Sequence, residues 1–576
     1  MVPRFQKERS RIIKLFVRSA CSTESSSMRL KYTGEQEQSL QAAMEGGSFK
    51  QIARAGCGKT FICREIGRLF EHSSQPDMLY IVFTNAGAAE AAKTFTPNVV
   101  VSTFNSVAKN MVDPRIQDKL HMAKEPSFSL ASRYGLKSSS FVSHTNQLIT
   151  LSSSYMGRLV QKSIENFCRS AEKELSLAHV ETPEGCDEKR ASYLREKLFP
   201  HVERYWHEQT DPNCTRGIIH GVYVKLFHQA NHKIDCTIVF DEAQDADPVM
   251  LDILRSQESQ VIWVGDDFQQ IYPWRGAINA LDYLDLPTYH LTQSFRFGQN
   301  VGDLATSLLK CLNNQVPVRG LETKETKVVY NDNDIAPDVY LCRTNAQAMD
   351  VLAQALSRGE KTSIDSQSLW EFSNFAAHAK TLIGGGRAKH PVLGMFVSWK
   401  DFRDYTESPY GSEYRTFVKL IDDYGIENLG KIIASASPMD RCQNFVTTIH
   451  KFKGMEAPRV KLCEFISHQK DPSGISLMTN KEEIMLLYVG LTRATGALDL
   501  SAVADEMKML MRGMRPSIAN EIQQGFGTIV DPQSQSPCSS SASRLDTTGL
   551  YRHLDYIARA SNRQSGIHKT SNAINM

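Results

Sequence analysis

The stretch KQIARAGCGKTFICREIGRLF, Lys50 to Phe70, constrains the fold more than any other part of the chain. Apolar Ile52 and Ala53 read as the end of a strand, and Ala55-Gly56-Cys57-Gly58 as a loop of small residues. Lys59 and Thr60 then open a helix whose Ile62, Ile66 and Leu69 recur at helical spacing. Small residues let backbone N–H groups wrap phosphate oxygens, a lysine reaches the outer phosphates, and the following hydroxyl can hold Mg²⁺. The strict pattern begins with glycine, and Ala53 stands in that place, so by letters alone this is a near miss. The strand–loop–helix setting is what favours a phosphate loop.

A second stretch, TIVFDEAQDADPVML from Thr237 to Leu251, drives a short apolar run into a cluster of carboxylates. A buried strand ending in a solvated turn would look the same. With a phosphate loop elsewhere in the chain, a second reading gains weight. Phosphoryl transfer needs one carboxylate for the metal and one to orient water, and Asp241 followed by Glu242 supplies both. Strands alternate with helices in LYIVFTNAGAAEAAKTF, VVVSTFNSVA and QVIWVGDDFQQIYPWRGA. That alternation predicts a parallel α/β sheet of the RecA-like kind, with ligands at the carboxyl ends of its strands.

Length and composition set the remaining bounds. A chain of 576 residues exceeds one compact domain, so three or four lobes are expected. The formal net charge of +2 assigns any nucleic-acid contact to a local basic groove rather than to a globally basic surface. No apolar run is long enough to span a bilayer as a helix. The 12 cysteines form no CxxC pair, which argues against a zinc site or a disulfide framework. His228 and His232 have the spacing of two ligands on a helix but lack a third, so they read as ordinary surface or packed histidines.

The ends differ from the middle. Residues 1–28 hold Arg4, Lys7, Arg9, Arg11, Lys14 and Arg18 against Glu8 and Glu24, followed by a Ser-rich run. This reads as an organellar transit peptide, a disordered basic arm, or a leader upstream of a start at Met28. Nucleus and mitochondrion are the expected compartments. Residues 516–576 contain DPQSQSPCSSSASR and are expected to form a mostly disordered tail, with one helix near GLYRHLDYIARA.

Taken in order, the blocks resemble a superfamily 1 DNA helicase of the UvrD/Rep type. YTGEQ is similar to the glutamine motif and ARAGCGKT to motif I, where Ala53 is common; FTNAGAAEAA and STFNSVA resemble motifs Ia and Ib. DEAQD, VGDDFQQIYPWRGA, LTQSFRFG, TIHKFKGME and EEIMLLYVGLTRA resemble motifs II to VI. A more specific likeness, in YHLTQSFRFG, IIHGVYVKLF and LCRTNA, is to the helicase region of eukaryotic F-box DNA helicases. About thirty residues precede YTGEQ, too few for an F-box, so no ubiquitin-ligase contact through one is expected. The chain departs from the pattern at Arg54 (Gly in bacterial relatives), Asn105 (usually His), Phe295 (usually Tyr) and Ala457-Pro458.

The resemblance implies roles for particular residues. ATP and Mg²⁺ would be held by Gln36 at the adenine, by Ala55, Gly56, Cys57, Gly58, Lys59 and Thr60 at the phosphates, and by Phe295 stacking on the base. Thr60 and Asp241 would hold the metal, and Glu242 would act as general base or orient water. Gln269 would sense the γ-phosphate, and Arg296 and Arg493 would be arginine fingers from the second motor domain. Thr84, Asn85, Phe104, Tyr272, Trp274 and His450 would contact DNA.

The expected architecture is two RecA-like parallel-sheet domains, each interrupted by a mainly helical insertion. The first occupies 29–109 and 206–290 with an insertion at 110–205; the second occupies 291–349 and 441–515 with a small insertion at 350–440. SWKDFRDYTESPYGSEYRTF in that second insertion reads as a solvated helix pair or a duplex contact, with the former favoured. The implied activity is ATP-dependent DNA unwinding with 3′ to 5′ movement on single strands, in repair or recombination control. Its partners would be single-stranded DNA and single-strand/duplex junctions, with recombinase filaments as a further partner. A translocase that strips bound protein with little unwinding is one alternative, and a non-catalytic P-loop scaffold is another.

Overall fold

The computed structural model describes residues 32–507 apart from 72–76, 143–147, 184–185, 273–275, 332–334, 391, 408–413, 465–480 and 505–506. The basic leader, the Ser-rich tail with its expected helix, and Trp274 lie outside the described residues.

In chain order the first strands are β1 (Phe49–Ala53), β2 (Met78–Val82) and β3 (Val99–Thr103), then a hairpin of β4 (Ser139–Val142) and β5 (Leu148–Leu151). After these come β6 (Thr237–Phe240), β7 (Val261–Gly265) and β8 (Thr288–Leu291). Six of them form a sheet in the order β3-β2-β6-β7-β1-β8, parallel throughout. The second sheet uses β9 (Lys327–Val329), β10 (Val339–Cys342), β11 (Thr362–Ile364), β12 (Asn444–Thr448), β13 (Ala457–Leu462) and β14 (Ala494–Asp499). Its order is β11-β12-β10-β13-β14-β9, again parallel throughout. These are two RecA-like α/β domains. Central strands covered on both faces are apolar along most of their length, and all four residues of β6, Thr237 included, are buried.

The first insertion is less separate than expected. One continuous core runs from Phe240 and Trp263 of the sheet through Phe104 into Leu130, Val160, Leu198 and Val202 of the insertion. It also holds the β4–β5 hairpin, so it is not wholly helical, and its long helix Glu188–Thr210 runs past residue 205. Two buried lysines seat its helices. Lys119 Nζ donates to the carbonyls of Glu208, Gln209 and Asp211 at 2.8–2.9 Å, closing the end of Glu188–Thr210. Lys225 Nζ donates to the Ser170 and Glu172 carbonyls at 2.7 Å, just past the helix Ser153–Arg169. Cations at helix carboxyl ends answer both the unpaired carbonyls and the helix dipole.

The second insertion begins later than residue 350. The helix Asn345–Ser357 and β11 belong to the sheet, because β11 pairs with β12. Outside residues 408–413, the aromatics of that stretch pack into a core rather than forming a solvated pair of helices. Phe402 is fully buried beside Phe375 (6.0 Å between ring centroids), which in turn packs on Phe417 at 4.6 Å.

Candidate functional site: a cleft between the two sheets

Strands β6, β7 and β1 are neighbours, so the loops leaving their carboxyl ends converge. After β1 comes the phosphate loop, in which Gly56 (φ +73°) and Gly58 (φ +80°) are left-handed. A Cβ on Gly56 would stand 2.5 Å from Ser294 Oγ and 2.7 Å from Arg296 Cβ, so the position admits only glycine. The helix Lys59–Glu71 then begins with its amino end at the loop.

Leaving β6, Asp241 is buried and Glu242 adopts φ +55°, a left-handed conformation that costs a non-glycine residue about 1–3 kcal/mol. Strain of this kind persists where neighbours hold the residue in place. Lys59 Nζ pairs with the Glu242 carboxylate, and Gln244 Nε2 donates to its other oxygen at 2.5 Å. Burial alone would raise the Glu242 carboxyl, but Lys59 and Lys453 outweigh it and hold the group at about 2. Asp241 goes the other way: burial lifts it above the usual range despite Lys59. Tyr80 donates to Asp241 Oδ2 at 2.5 Å and also bonds the Thr60 hydroxyl, so one phenol gathers both candidate metal ligands.

After β7, Gln269 Nε2 donates to buried Asp266 Oδ2 at 2.7 Å. The backbone N–H of Asp266 donates to Gln244 Oε1 at 3.0 Å, which joins this loop to the one carrying Glu242. Across the cleft stand two arginines. Arg296 donates from Nε to Glu456 Oε2 at 2.6 Å and from Nη1 to the Thr492 carbonyl at 3.1 Å. Arg493 is 2% exposed, anchored by Nε on the Val489 carbonyl at 2.8 Å, and reaches Gln269 Oε1 from Nη2 at 3.3 Å. Burial and the nearby Arg296 push Arg493 down to about 9, which leaves it protonated at neutral pH. Two cations facing one cleft repel each other, and an anion between them would relieve both.

The cleft holds about 370 Å³ and is lined by the loop Gly56–Thr60, Glu242, Gln269, Phe295, Arg296 and Arg493, together with Phe61, Gly454 and Glu456. One end is shaped for a flat group. A Cβ on Gly58 would lie 3.6 Å from Phe61 Cβ and 3.9 Å from both Gln36 Nε2 and the Phe295 ring. Phe295 is 44% exposed there. Gln36 offers its Nε2 side, while its Oε1 accepts from the Thr33 N–H at 3.0 Å in a helix capping box. The donor set fits a nucleoside triphosphate with Mg²⁺: three cations, glycine N–H groups, two carboxylates, a hydroxyl and a ring face.

Some expected site residues are placed differently. Ala55 is buried and outside the cleft lining, because its N–H donates to the Tyr488 hydroxyl at 3.1 Å. Phe104 offers no free face to DNA: it is 6% exposed and packs edge-on against Phe240 at 6.2 Å. Tyr272 is half-buried, with its hydroxyl donating to the His450 carbonyl at 2.7 Å and its ring 5.9 Å from the His450 ring. Thr84 and Asn85 are exposed beyond β2, where Thr84 Oγ1 caps a helix by accepting from the Gly87 N–H at 3.0 Å.

Several residues at the site were not expected there, because nothing in the sequence shows their partners. Lys453, 7% exposed, crosses from the second sheet to pair with Asp245 at 2.5 Å and to donate to the Gln269 carbonyl at 2.6 Å. Phe61, Tyr80 and Tyr488 were equally silent, since their partners are far away in sequence. Arg54 was visible only as a departure from a family pattern.

Two RecA-like domains meeting at one cleft lined by the phosphate loop define a P-loop protein of the two-domain type. The chain belongs to the UvrD/REP helicase family. The family's N-terminal helicase domain matches residues 33–284, and the UvrD-like helicase C-terminal domain matches residues 352–505. Among similar proteins is F-box DNA helicase protein 1 of Schizosaccharomyces pombe, 26% identical over 527 residues, 84% of this chain and 58% of that protein. F-box DNA helicase 1 of Gallus gallus is 26% identical over 549 residues, 84% of this chain and 50% of that protein. The chain thus spans between 50% and 58% of the length of these relatives.

Proposed function

We propose that the cleft hydrolyses ATP and that closure of the two domains around it drives the protein 3′ to 5′ along single-stranded DNA, unwinding duplex ahead. The observation that carries this reading is the convergence on a single cleft of Lys59 and Glu242, at the ends of the first sheet's strands, with Arg296, just before the helix Gln299–Lys310, and Arg493, just before β14. Lys59 leaves Glu242 for the outer phosphates. Losing that cation lets the Glu242 carboxyl rise from about 2, so it passes from orienting water towards accepting its proton. Arg296 and Arg493 stabilise charge on the transferring group only when the domains are closed. Thr60 and Asp241 would hold Mg²⁺, whose charge would neutralise phosphate oxygens. Phe295 and Phe61 flank the base, and Gln36 reads its edge through Nε2.

Thr84, Asn85, Tyr272, Trp274 and His450 stay as proposed DNA contacts, with Tyr272 and His450 acting together where the two domains meet. Family membership and the likeness to F-box DNA helicases support a DNA substrate. The direction of travel, a repair or recombination role, and recombinase filaments as partners rest on resemblance. The test is ATP turnover with and without single-stranded DNA, for the wild type and for Lys59→Ala. Stimulation by DNA that vanishes in the variant supports the reading; turnover insensitive to both refutes it. Unwinding is separated from protein stripping by comparing bare and protein-coated substrates.

A further inference from the structure

We infer that Arg54 is a positioning residue, an electrostatic strut that fixes the phosphate loop to both motor domains and makes turnover depend on their closure. The inference rests on the reading of the cleft as an ATP site.

Arg54 opens the phosphate loop yet does not line the cleft, and it is 2% exposed. Its Nη1 donates to Asp266 Oδ1 at 3.1 Å and pairs with Asp267, and its Nη2 donates to Asn314 Oδ1 at 3.1 Å. The guanidinium lies over the Phe268 ring, 4.8 Å from its centroid. Asp266, Asp267 and Phe268 follow β7 of the first sheet. Asn314 follows the helix Gln299–Lys310 of the second domain, fixed in a turn by its bonds to Val316.

A second path runs parallel to the first. Tyr488, on the second domain's helix Lys481–Leu491, donates to Asp266 Oδ2 at 2.9 Å and accepts from the Ala55 N–H at 3.1 Å. Arg54, Asp266, Tyr488 and the Ala55 amide thus form a closed ring with two links across the domain boundary. The same Asp266 oxygen accepts from Gln269, the residue that meets Arg493.

The energetics give the ring a direction. Parting the domains would exchange the Arg54–Asn314 and Tyr488–Asp266 bonds for bonds to water, giving up charge-assisted hydrogen bonds made in a buried setting. The ring therefore favours the closed arrangement and reports it to Gln269. Lysine keeps the charge but cannot hold Asp266, Asn314 and the Phe268 face together, because it lacks the planar fork.

The experiment uses the full chain with Arg54→Lys, Asn314→Leu, the double variant and Tyr488→Phe. ATP turnover with saturating single-stranded DNA is measured beside hydrogen exchange of the peptide carrying the Ala55 amide. Arg54→Lys should lower DNA-stimulated kcat about tenfold while KM for ATP moves less than about threefold, within the usual span of coupling between sites. The Ala55 peptide should exchange faster, and adding Asn314→Leu should change little further, since both act in one strut. Tyr488→Phe removes only a hydroxyl and should show the same split; it decides the matter if Arg54→Lys does not fold. Additive losses, parallel changes in KM and kcat, or unchanged exchange at Ala55 would overturn the inference. A wild type without DNA-stimulated turnover would instead sink the proposed function, and the exchange data would still judge the strut.

Discussion

Arg493 of the second domain meets Gln269 of the first across the cleft, Nη2 to Oε1 at 3.3 Å, and both side chains are buried. Gln269 is held from behind by Asp266, so the glutamine can move only as its own loop moves. In the proposed function this contact passes the state of the phosphate site to the other domain. Arg493→Ala should keep nucleotide binding within about an order of magnitude yet lose turnover by about 10³-fold or more, as arginine fingers do. Equilibrium binding of a fluorescent ATP analogue beside steady-state turnover checks this. A variant that loses affinity and keeps its turnover rate would make Arg493 a binding group.

Glu242 has a different signature. Its carboxylate is held at about 2 by Lys59 and Lys453, so it is ionised throughout the physiological range. Glu242→Gln removes that charge while keeping the hydrogen-bonding shape of the side chain. Nucleotide should still bind, and hydrolysis should fall to a trace, because the other carboxylates at the site are already engaged, Asp241 with Tyr80 and Glu456 with Arg296. Single-turnover hydrolysis is the measurement, and wild-type rates in a folded Glu242→Gln protein would remove Glu242 from the chemistry.

Lys225 offers a test of the insertion's architecture through pH. Burial pushes its ammonium down to about 8, below the ordinary lysine value near 10.4. Between those values the unfolded chain holds a proton that the folded chain has released, so stability rises with pH across that window. Below about 8 the lysine is charged in both states and its desolvation cost is fully present. Lys225→Met leaves the Ser170 and Glu172 carbonyls unpartnered and should cost about 1–3 kcal/mol at neutral pH. The deficit should widen towards pH 9–10, where only the wild type gains. Thermal melts of both proteins across that range decide it; a deficit that shrinks would contradict the assignment.

What could be read from the sequence was local. A strand that runs straight into a phosphate loop and a helix carries its geometry in about twenty consecutive residues, and TIVFDE likewise sets Asp241 and Glu242 at a strand end. Parallel order followed from strands alternating with helices. Contacts closed over hundreds of residues were not legible. Nothing in ARAGCGKT shows that the Ala55 N–H is taken by Tyr488 and therefore turns from the cleft. Nothing in STFNSVA shows that Phe104 sits against Phe240 in a core shared with the insertion. The aromatics of SWKDFRDY mix with charges at a spacing that suits a wet helix or a packed one, and only the helix Ser366–Ile383 beside them settles which. Lys453 could be seen as a lysine in a motif, but not as one buried against Asp245 on the other domain.

The most direct test of the account is strand displacement on a duplex with a single-stranded 3′ tail, compared with the same duplex carrying a 5′ tail. Each is run with ATP, without ATP, and with Lys59→Ala in place of the wild type. ATP-dependent displacement is expected on the 3′-tailed duplex alone, lost in Lys59→Ala because its partnership with Glu242 and the phosphates is gone. Displacement that requires the 5′ tail would contradict the proposed direction, and displacement that survives in Lys59→Ala would contradict the cleft as its engine.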